Sequence, residues 1–362
     1  MKVGAFNPYL HTRGGGERYF LEVASVLARR HEVDVLVPPG KAKPGLVRDD
    51  LAAMFGLDLS GLRFVPARSG VGDDDYSTLT GYDAALTVTN IHPPIRVPRP
   101  HVSILQFPWN VTRRSQTHRW KAGFAISRCD QVLVYSPYVR EWVMRIPMGH
   151  AAVVPPGVQS ISADAGPRER VILAVGRFAS GGHNKKQDVL IEAFRRLSAQ
   201  LTGWRLVLAG AAGQGDSDYV DMLRREAQGL DVDFKVNVSR EELEWLYRRA
   251  TFFWHAAGYG EDLVRHPALM EHFGIVAVEA MSAGCLPLVF HGGGLPEVVE
   301  YGRSGLTWTS IPDLVASTTR LVHEPGEYET LVDHAKLRAR EFSRERFEER
   351  LIGALPSSLW AD

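Results

Sequence analysis

Residues 3–38 of the chain are VGAFNPYLHTRGGGERYFLEVASVLARRHEVDVLVP. This segment has two short apolar runs, Val3 to Asn7 and Val33 to Pro38, separated by a glycine turn and a helical pattern from about Gly16 to Arg29. The apolar residues that share one face of this helix are Phe20, Val23, Ala24 and Leu27. Strand, helix and strand in this order form the repeating unit of a parallel sheet, so the segment predicts an α/β fold.

The same alternation continues along the chain and begins again in its second half. Further strands are predicted in the first half at 63–67, 84–89, 102–106, 131–136 and 152–154. Strands are predicted in the second half at 171–175, 205–209, 232–236, 251–255 and 286–290, with helices near 186–200, 217–228, 240–249 and 274–283. Two Rossmann-like, doubly wound domains follow from this repetition.

The break between the two halves falls in a polar stretch that contains Pro155-Pro156-Gly157. We therefore predict an N-terminal domain over 1–160 and a C-terminal domain over 161–342. Residues 343–362 are predicted to contain a charged C-terminal helix, in which Phe347 and Leu351 are spaced to dock on one side.

Composition limits the function classes. Lys plus Arg and Asp plus Glu number 42 each, so no net charge draws the protein to nucleic acid or to a membrane. The two cysteines, Cys129 and Cys285, lie beside apolar runs without metal-ligand spacing, and we expect both in the core of a cytoplasmic protein. We also expect no signal peptide and no membrane-spanning helix, because no apolar stretch is long enough.

Residues 271–284, EHFGIVAVEAMSAG, carry the strongest chemical signal. Gly274 precedes a predicted helix, whose first N–H groups and dipole favour an anion or a sugar hydroxyl. Glu271 lies in the loop before this helix, and Glu279 lies inside it among apolar neighbours, where a carboxylate needs hydrogen-bond donors. A ribose diol would supply two donors, whereas a surface ion pair is the alternative explanation.

Two cations follow the first strand of the second half. Arg177 comes directly after that strand, and Lys185 precedes the next helix. Ligands of open parallel sheets bind beyond the carboxyl ends of strands, so these side chains could neutralise a diphosphate without a metal. Solvated loop charges are the alternative. A glycine turn, residues 14–16, opens the first helix of the chain, but Tyr19 breaks the dinucleotide-binding glycine pattern.

Together these features resemble family 4 of the retaining glycosyltransferases. The resemblance spans nearly the whole second domain and is carried by Arg177, Lys185, Asp188, Glu271, Glu279, the run 279–284 and the turn 292–297. The family implies the GT-B architecture, in which two Rossmann-like domains face a cleft and the last helix crosses back to the first domain. It also implies a nucleotide diphosphate sugar as donor, GDP- or UDP-linked, and no cofactor.

The resemblance also implies roles for individual residues. Arg177 and Lys185 would hold the donor diphosphate, and Glu279 would hold the ribose hydroxyls. Gly14 and Gly15 would approach the diphosphate from the first domain. The transferred sugar would be held by Glu271, Phe273 and Gly274. The departing phosphate would take the acceptor proton, so no strong protein base is required.

The first domain departs from the family at one position. Many members carry a histidine before an aromatic-proline pair, where this chain has Gln106. Glutamine can hydrogen-bond a sugar but cannot gain charge. We take Glu271 and Gln106 as the candidate catalytic residues, and His11 and His118 as acceptor-binding substitutes for the absent histidine, although a solvated or structural role is the simpler interpretation of either histidine.

The interval 84–129 contains no acidic residue. Its seven basic residues are Arg96, Arg99, Arg113, Arg114, Arg119, Lys121 and Arg128. With Trp109 and Trp120 they predict contact with an anionic acceptor or with the inner face of the membrane, and a solvated helix face is equally compatible.

The aspartate pairs at 216/218 and 231/233 are interpreted as a helix cap and a strand entry, so no metal site is predicted. The expected acceptor is a hydroxyl group of a glycan, of a lipid-linked acceptor or of a small molecule. Two other functions fit the same pattern, a nucleotide-sugar epimerase or hydrolase and a non-catalytic carbohydrate-binding protein.

Overall fold

The computed structural model describes residues 1–360 apart from 13, 39–42, 68–75, 91, 108–114, 163–165, 182–183 and 214. The chain divides into two compact units. The first consists of Met1–Gly157 and Phe347–Asp362, and the second of Val158–Arg346. The first unit is therefore assembled from both ends of the chain.

A seven-stranded parallel sheet forms the centre of the first unit. Its strands are β1 (Lys2–Phe6), β2 (Glu32–Val37), β3 (Arg63–Pro66), β4 (Ala84–Thr89), β5 (His101–Leu105), β6 (Gln131–Val134) and β7 (Ala152–Val153). Its helices are α1 (Gly15–Leu27), α2 (Pro44–Phe55), α3 (Gln116–Ser127) and α4 (Pro137–Met144). The strand order is β3-β2-β1-β4-β5-β6-β7, so the winding reverses between β1 and β4.

The second unit contains a six-stranded parallel sheet in the order β10-β9-β8-β11-β12-β13. Its strands are β8 (Glu169–Val175), β9 (Arg205–Gly210), β10 (Val232–Val236), β11 (Ala250–His255), β12 (Leu286–Phe290) and β13 (Leu306–Trp308). Its helices are α5 (Gln187–Ser198), α6 (Ser217–Glu226), α7 (Arg240–Arg249), α8 (Ile275–Ser282), α9 (Leu295–Val298), α10 (Ile311–His323) and α11 (Pro325–Arg340). Here the winding reverses between β8 and β11.

Every strand that the sequence predicts is present, within about two residues at its ends. The structure adds β13 and several helices that the pattern did not reveal, among them α10 and α11. Two parallel, helix-covered sheets confirm the predicted α/β class. Within the described residues, no helix combines the length and the apolar character that crossing a bilayer requires.

The C-terminal segment forms two helices rather than one, α12 (Arg344–Ala354) and α13 (Ser357–Trp360). Pro356 separates them, because proline has no N–H with which to continue a helix. Phe347 packs on Tyr19 of α1 with ring centroids 5.6 Å apart, and Leu351 is fully buried. Arg29 forms a two-fold hydrogen-bonded ion pair with Glu348, at 2.6 and 2.9 Å.

Two smaller predictions have different outcomes. Cys129 and Cys285 are free and buried, as expected, and burial raises the pKa of each thiol to about 12. The prediction that Asp216 caps a helix with its side chain is wrong. Asp216 occupies the N-cap position of α6, but its carboxylate accepts from the N–H of Gly213, outside the helix.

We predict that Leu351→Ala destabilises the first unit by roughly 3 kcal/mol, because it removes a fully buried side chain and leaves a cavity. Leu337→Ala is the matched control: Leu337 is also helical but is 55% exposed, so its truncation should cost less than about 0.5 kcal/mol. Urea unfolding followed by circular dichroism measures both. Equal effects of the two substitutions would contradict the packing described for α12.

Candidate active site

Strand order determines where the predicted donor-binding residues meet. Ligands of open parallel sheets bind beyond the carboxyl ends of strands, at the point where the winding reverses. In the second sheet that point lies between β8 and β11. Arg177 and Lys185 follow β8, and Glu271 follows β11. These residues, which are far apart in sequence, therefore share one edge of the sheet.

Lys185 and Glu271 form an ion pair in which Nζ lies 2.6 Å from Oε2. His255, the last residue of β11, places Nε2 3.3 Å from the same carboxylate oxygen. Nδ1 of His255 accepts from the N–H of Ala257 at 3.4 Å, so the proton of the neutral ring belongs on Nε2, on the side of Glu271. Sequence reasoning missed His255, because a single histidine at the end of an apolar strand resembles any buried histidine.

The charges of this cluster are set by burial and by the lysine. Burial alone would raise the pKa of Glu271, but the charge of Lys185 and the contact with His255 outweigh it and hold that pKa well below its usual value. Burial lowers the pKa of His255, against the opposing influence of Glu271. At neutral pH the site therefore contains an ionised glutamate and a neutral histidine.

A second ion pair lies beside the first. Lys186 places Nζ 2.7 Å from Oε1 of Glu261, a residue of the loop between β11 and α8. The backbone of Lys186 is left-handed (φ 56°), and its N–H donates to Oδ1 of Asn184 at 2.6 Å. Consecutive lysines are thus paired with two carboxylates of one loop, Glu261 and Glu271.

The backbone of Gly176 and Arg177 lies next to this cluster. A β-carbon at Gly176 would lie 2.6 Å from Cγ of Lys185, so the lysine stem passes directly over that glycine. Nε2 of Gln187 donates to the carbonyl of Arg177 at 3.0 Å and ties the loop to the start of α5. The guanidinium of Arg177 is exposed, and among the described residues no side chain pairs with it.

The glycine turn at 292–294 supports the loop that carries Glu271. The N–H of Gly294 donates to the carbonyl of Glu271 at 2.8 Å. A β-carbon at Gly293 would lie 2.2 Å from that carbonyl oxygen, and one at Gly294 would lie 2.3 Å from the carbonyl of His272. Side chains at these two positions would therefore push the loop away.

Gly274 is the N-cap of α8 and has a φ of 98°, a conformation that side chains disfavour. A β-carbon there would also meet Cδ2 of Leu295 at 2.7 Å. The ring of the preceding residue, Phe273, is buried and packs edge-on against Phe342 at 5.3 Å. Phe273 can therefore contribute only its backbone to a ligand.

Glu279 is buried on α8 and already has two donors. Nη1 of Arg240 lies 2.6 Å from its Oε1, and the hydroxyl of Tyr247 donates to its Oε2 at 3.2 Å. Within the described residues no contact joins this group to the Lys185–Glu271 pair. A carboxylate has about four acceptor positions, so Glu279 retains capacity for a diol. Sequence reasoning identified Glu279 but neither Arg240 nor Tyr247.

In the first unit, the side chain of Glu17 already accepts a hydrogen bond from the glycine turn at residues 14–16. The N–H of Gly14 donates to Oε2 of Glu17 at 2.6 Å, which closes a capping box at the start of α1. An anion approaching Gly14 would compete with this carboxylate. Gly15 is exposed. A β-carbon at Gly16 would lie 2.4 Å from Nε2 of Gln106, so Gln106 fills the space beside this turn.

Gln106 is 6% exposed, and its Nε2 has no hydrogen-bond partner among the described residues. His11 lies exposed in a short 3-10 helix, Leu10–Thr12. His118 lies in the first turn of α3, with its ring 6.5 Å from that of His92. Within the described residues no contact links either histidine to Gln106.

The basic interval is only partly described, because Trp109, Arg113 and Arg114 lie outside the described residues. Arg99 is paired with Asp130 at 2.5 Å, and Arg119 donates to the carbonyl of Arg145 at 3.1 Å. On α3 the side chains of Trp120 and Phe124 are 58% and 50% exposed. Across the described part of the chain, no three His, Cys, Asp or Glu side chains gather as metal ligands.

Two Rossmann-like units with parallel sheets of seven and six strands define the GT-B fold class. Residues 13–160 match the family model described as Glycosyltransferase Family 4, and residues 160–338 match the model described as Glycosyl transferases group 1. The chain belongs to family 4 of the glycosyltransferases.

Known relatives match the chain in part. Mannosylfructose-phosphate synthase of Agrobacterium fabrum is 29% identical over 201 residues, which cover 49% of this chain and 41% of the synthase. D-inositol 3-phosphate glycosyltransferase of Mycobacterium bovis is 31% identical over 170 residues, which cover 46% of this chain and 29% of that enzyme. The matched region is thus less than half the length of either relative.

Among solved structures, HepE of Anabaena in complex with UDP matches with a TM-score of 0.71. The match covers 98% of this chain and 99% of HepE at 18% identity. Such low identity establishes a common fold and no more.

We predict that Lys185→Ala lowers the stability of the second unit by roughly 3 kcal/mol, because Glu271 is left as a largely buried, unpaired charge. Lys186→Ala is the control: its partner Glu261 is more exposed, and the loss should stay within about 1 kcal/mol. Chemical unfolding without nucleotide compares them, and equal losses would contradict the difference between the two pairs.

This difference should depend on pH in one direction. The lowered pKa of Glu271 makes its pairing stabilise the fold above the pKa of an unfolded carboxyl group, and that contribution is lost as the pH falls through the folded pKa. The deficit of Lys185→Ala should therefore be largest near pH 7 and shrink as the pH falls into the acid range, where Glu271 of the variant is protonated before Glu271 of the original chain. A deficit that is unchanged down to the lowest pH at which the protein folds would argue against an ionised Glu271.

Proposed function

We propose that the protein is a retaining glycosyltransferase that moves a hexose from a nucleotide diphosphate sugar to an acceptor hydroxyl. The observation that carries the proposal is the Lys185–Glu271 pair at the switch point of the second sheet, in a chain of this family. HepE has been solved with UDP and with UDP-glucose, so a uridine donor is the first to test and a guanosine donor the second.

Arg177 and Lys185 would bind the donor pyrophosphate. Arg177 is exposed directly after β8, and a lysine ammonium has three donors, so Lys185 can bind a phosphate oxygen while it still contacts Glu271. Two fixed cations stabilise the charge that develops on the departing phosphate. Lys186, which is already paired with Glu261, is not needed in this scheme.

Glu271 and Glu279 would hold the two sugars of the donor. Glu271 is ionised and can only accept hydrogen bonds, which suits the hydroxyls of the transferred hexose. The Gly274 end of α8 adds backbone N–H groups to the same region. Glu279 would accept the ribose hydroxyls while Arg240 and Tyr247 fix its orientation.

The proposed chemistry places little demand on protein acids or bases. In a retaining transfer, the acceptor oxygen attacks the face that the nucleotide leaves, and the departing phosphate oxygen takes the acceptor proton. Gln106 cannot take up charge, which is compatible with this scheme. Its role would be to orient a reacting hydroxyl, and Glu271 would stabilise the sugar as its bond to phosphate breaks.

We expect a thermal-shift panel of UDP, GDP and ADP to identify one nucleotide that raises the melting temperature. Saturating ligand at one hundred times its Kd adds about 2.7 kcal/mol to stability. Lys185→Ala should abolish the shift and lower transfer at least about 100-fold, whereas Lys186→Ala should retain both. If no nucleotide stabilises the protein, or if Lys185→Ala transfers sugar at the full rate, the assignment fails.

The same assay separates transfer from the other two functions. A transferase consumes donor faster when acceptor is added, whereas an epimerase or hydrolase consumes it equally without acceptor. A carbohydrate-binding protein would bind sugar and leave every donor intact.

We also propose peripheral contact between α3 and an anionic membrane surface at the cytoplasmic side. Trp120 and Phe124 lie one turn apart, so their exposed rings share one face of the helix. Lys121 lies in the same helix and Arg128 caps its end, and both are exposed. Exposed aromatic rings together with basic residues favour the interface of an anionic bilayer.

Vesicle flotation tests this contact. The protein should float with vesicles that contain phosphatidylserine and not with pure phosphatidylcholine, and Trp120→Ser with Phe124→Ser should abolish flotation. Trp245→Ser, which changes a tryptophan that is 48% exposed on α7, is the control. Flotation that survives the double substitution would exclude α3 as the contact.

A further inference from the structure

Four adjacent strands of the first sheet end in uncharged polar side chains. Asn7 follows β1, Asn90 follows β4, Gln106 follows β5 and Tyr135 follows β6. These strands are neighbours in the order β1-β4-β5-β6, and β1 and β4 flank the point where the winding reverses. With about 4.8 Å between strands, the four residues span about 15 Å of the carboxyl edge.

Strand register brings Asn90, Gln106 and Tyr135 to a common level, whereas Asn7 is level with Val88, two residues short of Asn90. Thr89 pairs with Leu105, so Asn90 and Gln106 are the next residues beyond the paired ends of β4 and β5. Ile104 pairs with Leu133, which puts Tyr135 level with Gln106 on the same face of the sheet.

Each of the four side chains has a buried polar atom without a hydrogen-bond partner among the described residues. These atoms are Nδ2 of Asn7, Oδ1 of Asn90, Nε2 of Gln106 and the hydroxyl of Tyr135. Asn7, Gln106 and Tyr135 are themselves more than nine-tenths buried. Buried polar atoms are nearly always paired, because leaving one unpaired is costly. Four on consecutive strand ends indicate a surface built for a ligand.

The neighbouring contacts keep these groups oriented. The N–H of Tyr9 donates to Oδ1 of Asn7 at 2.9 Å, which leaves Nδ2 as the available donor. The amide of Gln106 fills the space beside Gly16, and the ring of Tyr135 packs edge-on against Tyr19 at 4.7 Å. Gln106 and Tyr135 therefore both lie against the first turns of α1.

The hydrogen-bonding groups of these four side chains indicate which class of ligand they bind. Carboxamides and a phenol both donate and accept, as a sugar hydroxyl does, and none of the four groups carries charge. Among the described residues, the carboxylate of Glu17 lies near Tyr135, and its negative charge contributes to raising the pKa of Tyr135, after burial and Tyr19. A phosphate ester placed here would meet that carboxylate and no cation among the four side chains.

We propose that Asn7, Asn90, Gln106 and Tyr135 form the acceptor subsite and that it takes a neutral, hydroxyl-rich acceptor rather than a sugar phosphate. This inference rests on the proposed function, because it names the acceptor class of that reaction. It also distinguishes this chain from the two relatives above, whose names contain a phosphorylated sugar or polyol.

Saturation-transfer NMR without any donor tests the subsite. The probes are glucose, myo-inositol and glycerol, each beside its monophosphate ester. We expect at least one neutral probe to bind and its ester to bind more weakly. Binding should weaken at least 10-fold in Gln106→Met and in Tyr135→Phe. Neither substitution should lower the melting temperature, because each removes a buried polar atom, Nε2 of Gln106 or the hydroxyl of Tyr135, that has no hydrogen-bond partner among the described residues.

Three results would overturn the inference. They are a phosphate ester that binds more tightly than its neutral parent, variants that bind neutral probes as well as the original chain, and no neutral probe binding at all. Failure of the proposed function is a separate result, since it is scored by the nucleotide thermal shift. Both variants should retain that shift, because Gln106 and Tyr135 belong to the first unit, whereas the side chains proposed to hold the nucleotide, Arg177, Lys185 and Glu279, belong to the second.

Discussion

Parallel alignment of the strands is the constraint on which the other features depend. When all strands of a sheet run one way, their carboxyl ends meet at one edge, and the loops that leave them must share that edge. In the second unit this joins Lys185 to Glu271 and His255. In the first unit it aligns four polar strand ends. The two sheets use the same geometry for different chemistry, since Lys185 and Glu271 form an ion pair whereas the four side chains of the first sheet are uncharged.

The two sheet edges also differ in whether their buried polar groups have hydrogen-bond partners. In the second unit, Glu271 and Glu279 are held by cations and hydrogen-bond donors within the protein. Such pairs do not need a ligand, and they fix the orientation of each carboxylate. In the first unit, the amides of Asn7 and Gln106 each retain an atom without a hydrogen-bond partner in the part of the chain that the structure describes. Such unpaired buried atoms lower the stability of the fold, and hydrogen bonds from a bound ligand would restore it.

Much of the fold could be predicted from sequence, because buried parallel strands are short apolar runs bounded by turns. β10 and β12 begin and end where the pattern indicated. β13 was not predicted, because its three residues, Leu306–Trp308, are too few to show the apolar pattern of a strand. α3 was not predicted because its exposed face carries Trp120 and Phe124, which hide the apolar periodicity of an amphipathic helix.

The candidate site was predictable only in part. Lys185 and Glu271 were selected separately, by residue type and by resemblance, but no sequence pattern showed that they would touch across 86 positions. Nothing in the sequence distinguishes Arg240 and Tyr247 from other helical residues. Their role is visible only in the structure, where both donate to Glu279. The four uncharged strand-end residues were missed for the same reason. Only the strand order shows that Asn7 and Tyr135 lie at the same sheet edge as Gln106.

The composition of the first unit has a consequence for synthesis. Its sheet is built from residues up to Gly157, but Phe347 and the residues after it complete the unit. During translation the whole of the second unit emerges before the first has its last packing partners, such as Phe347 on Tyr19. The domain that begins first is therefore finished last, and until then the nascent chain carries an uncovered apolar surface that chaperones would recognise.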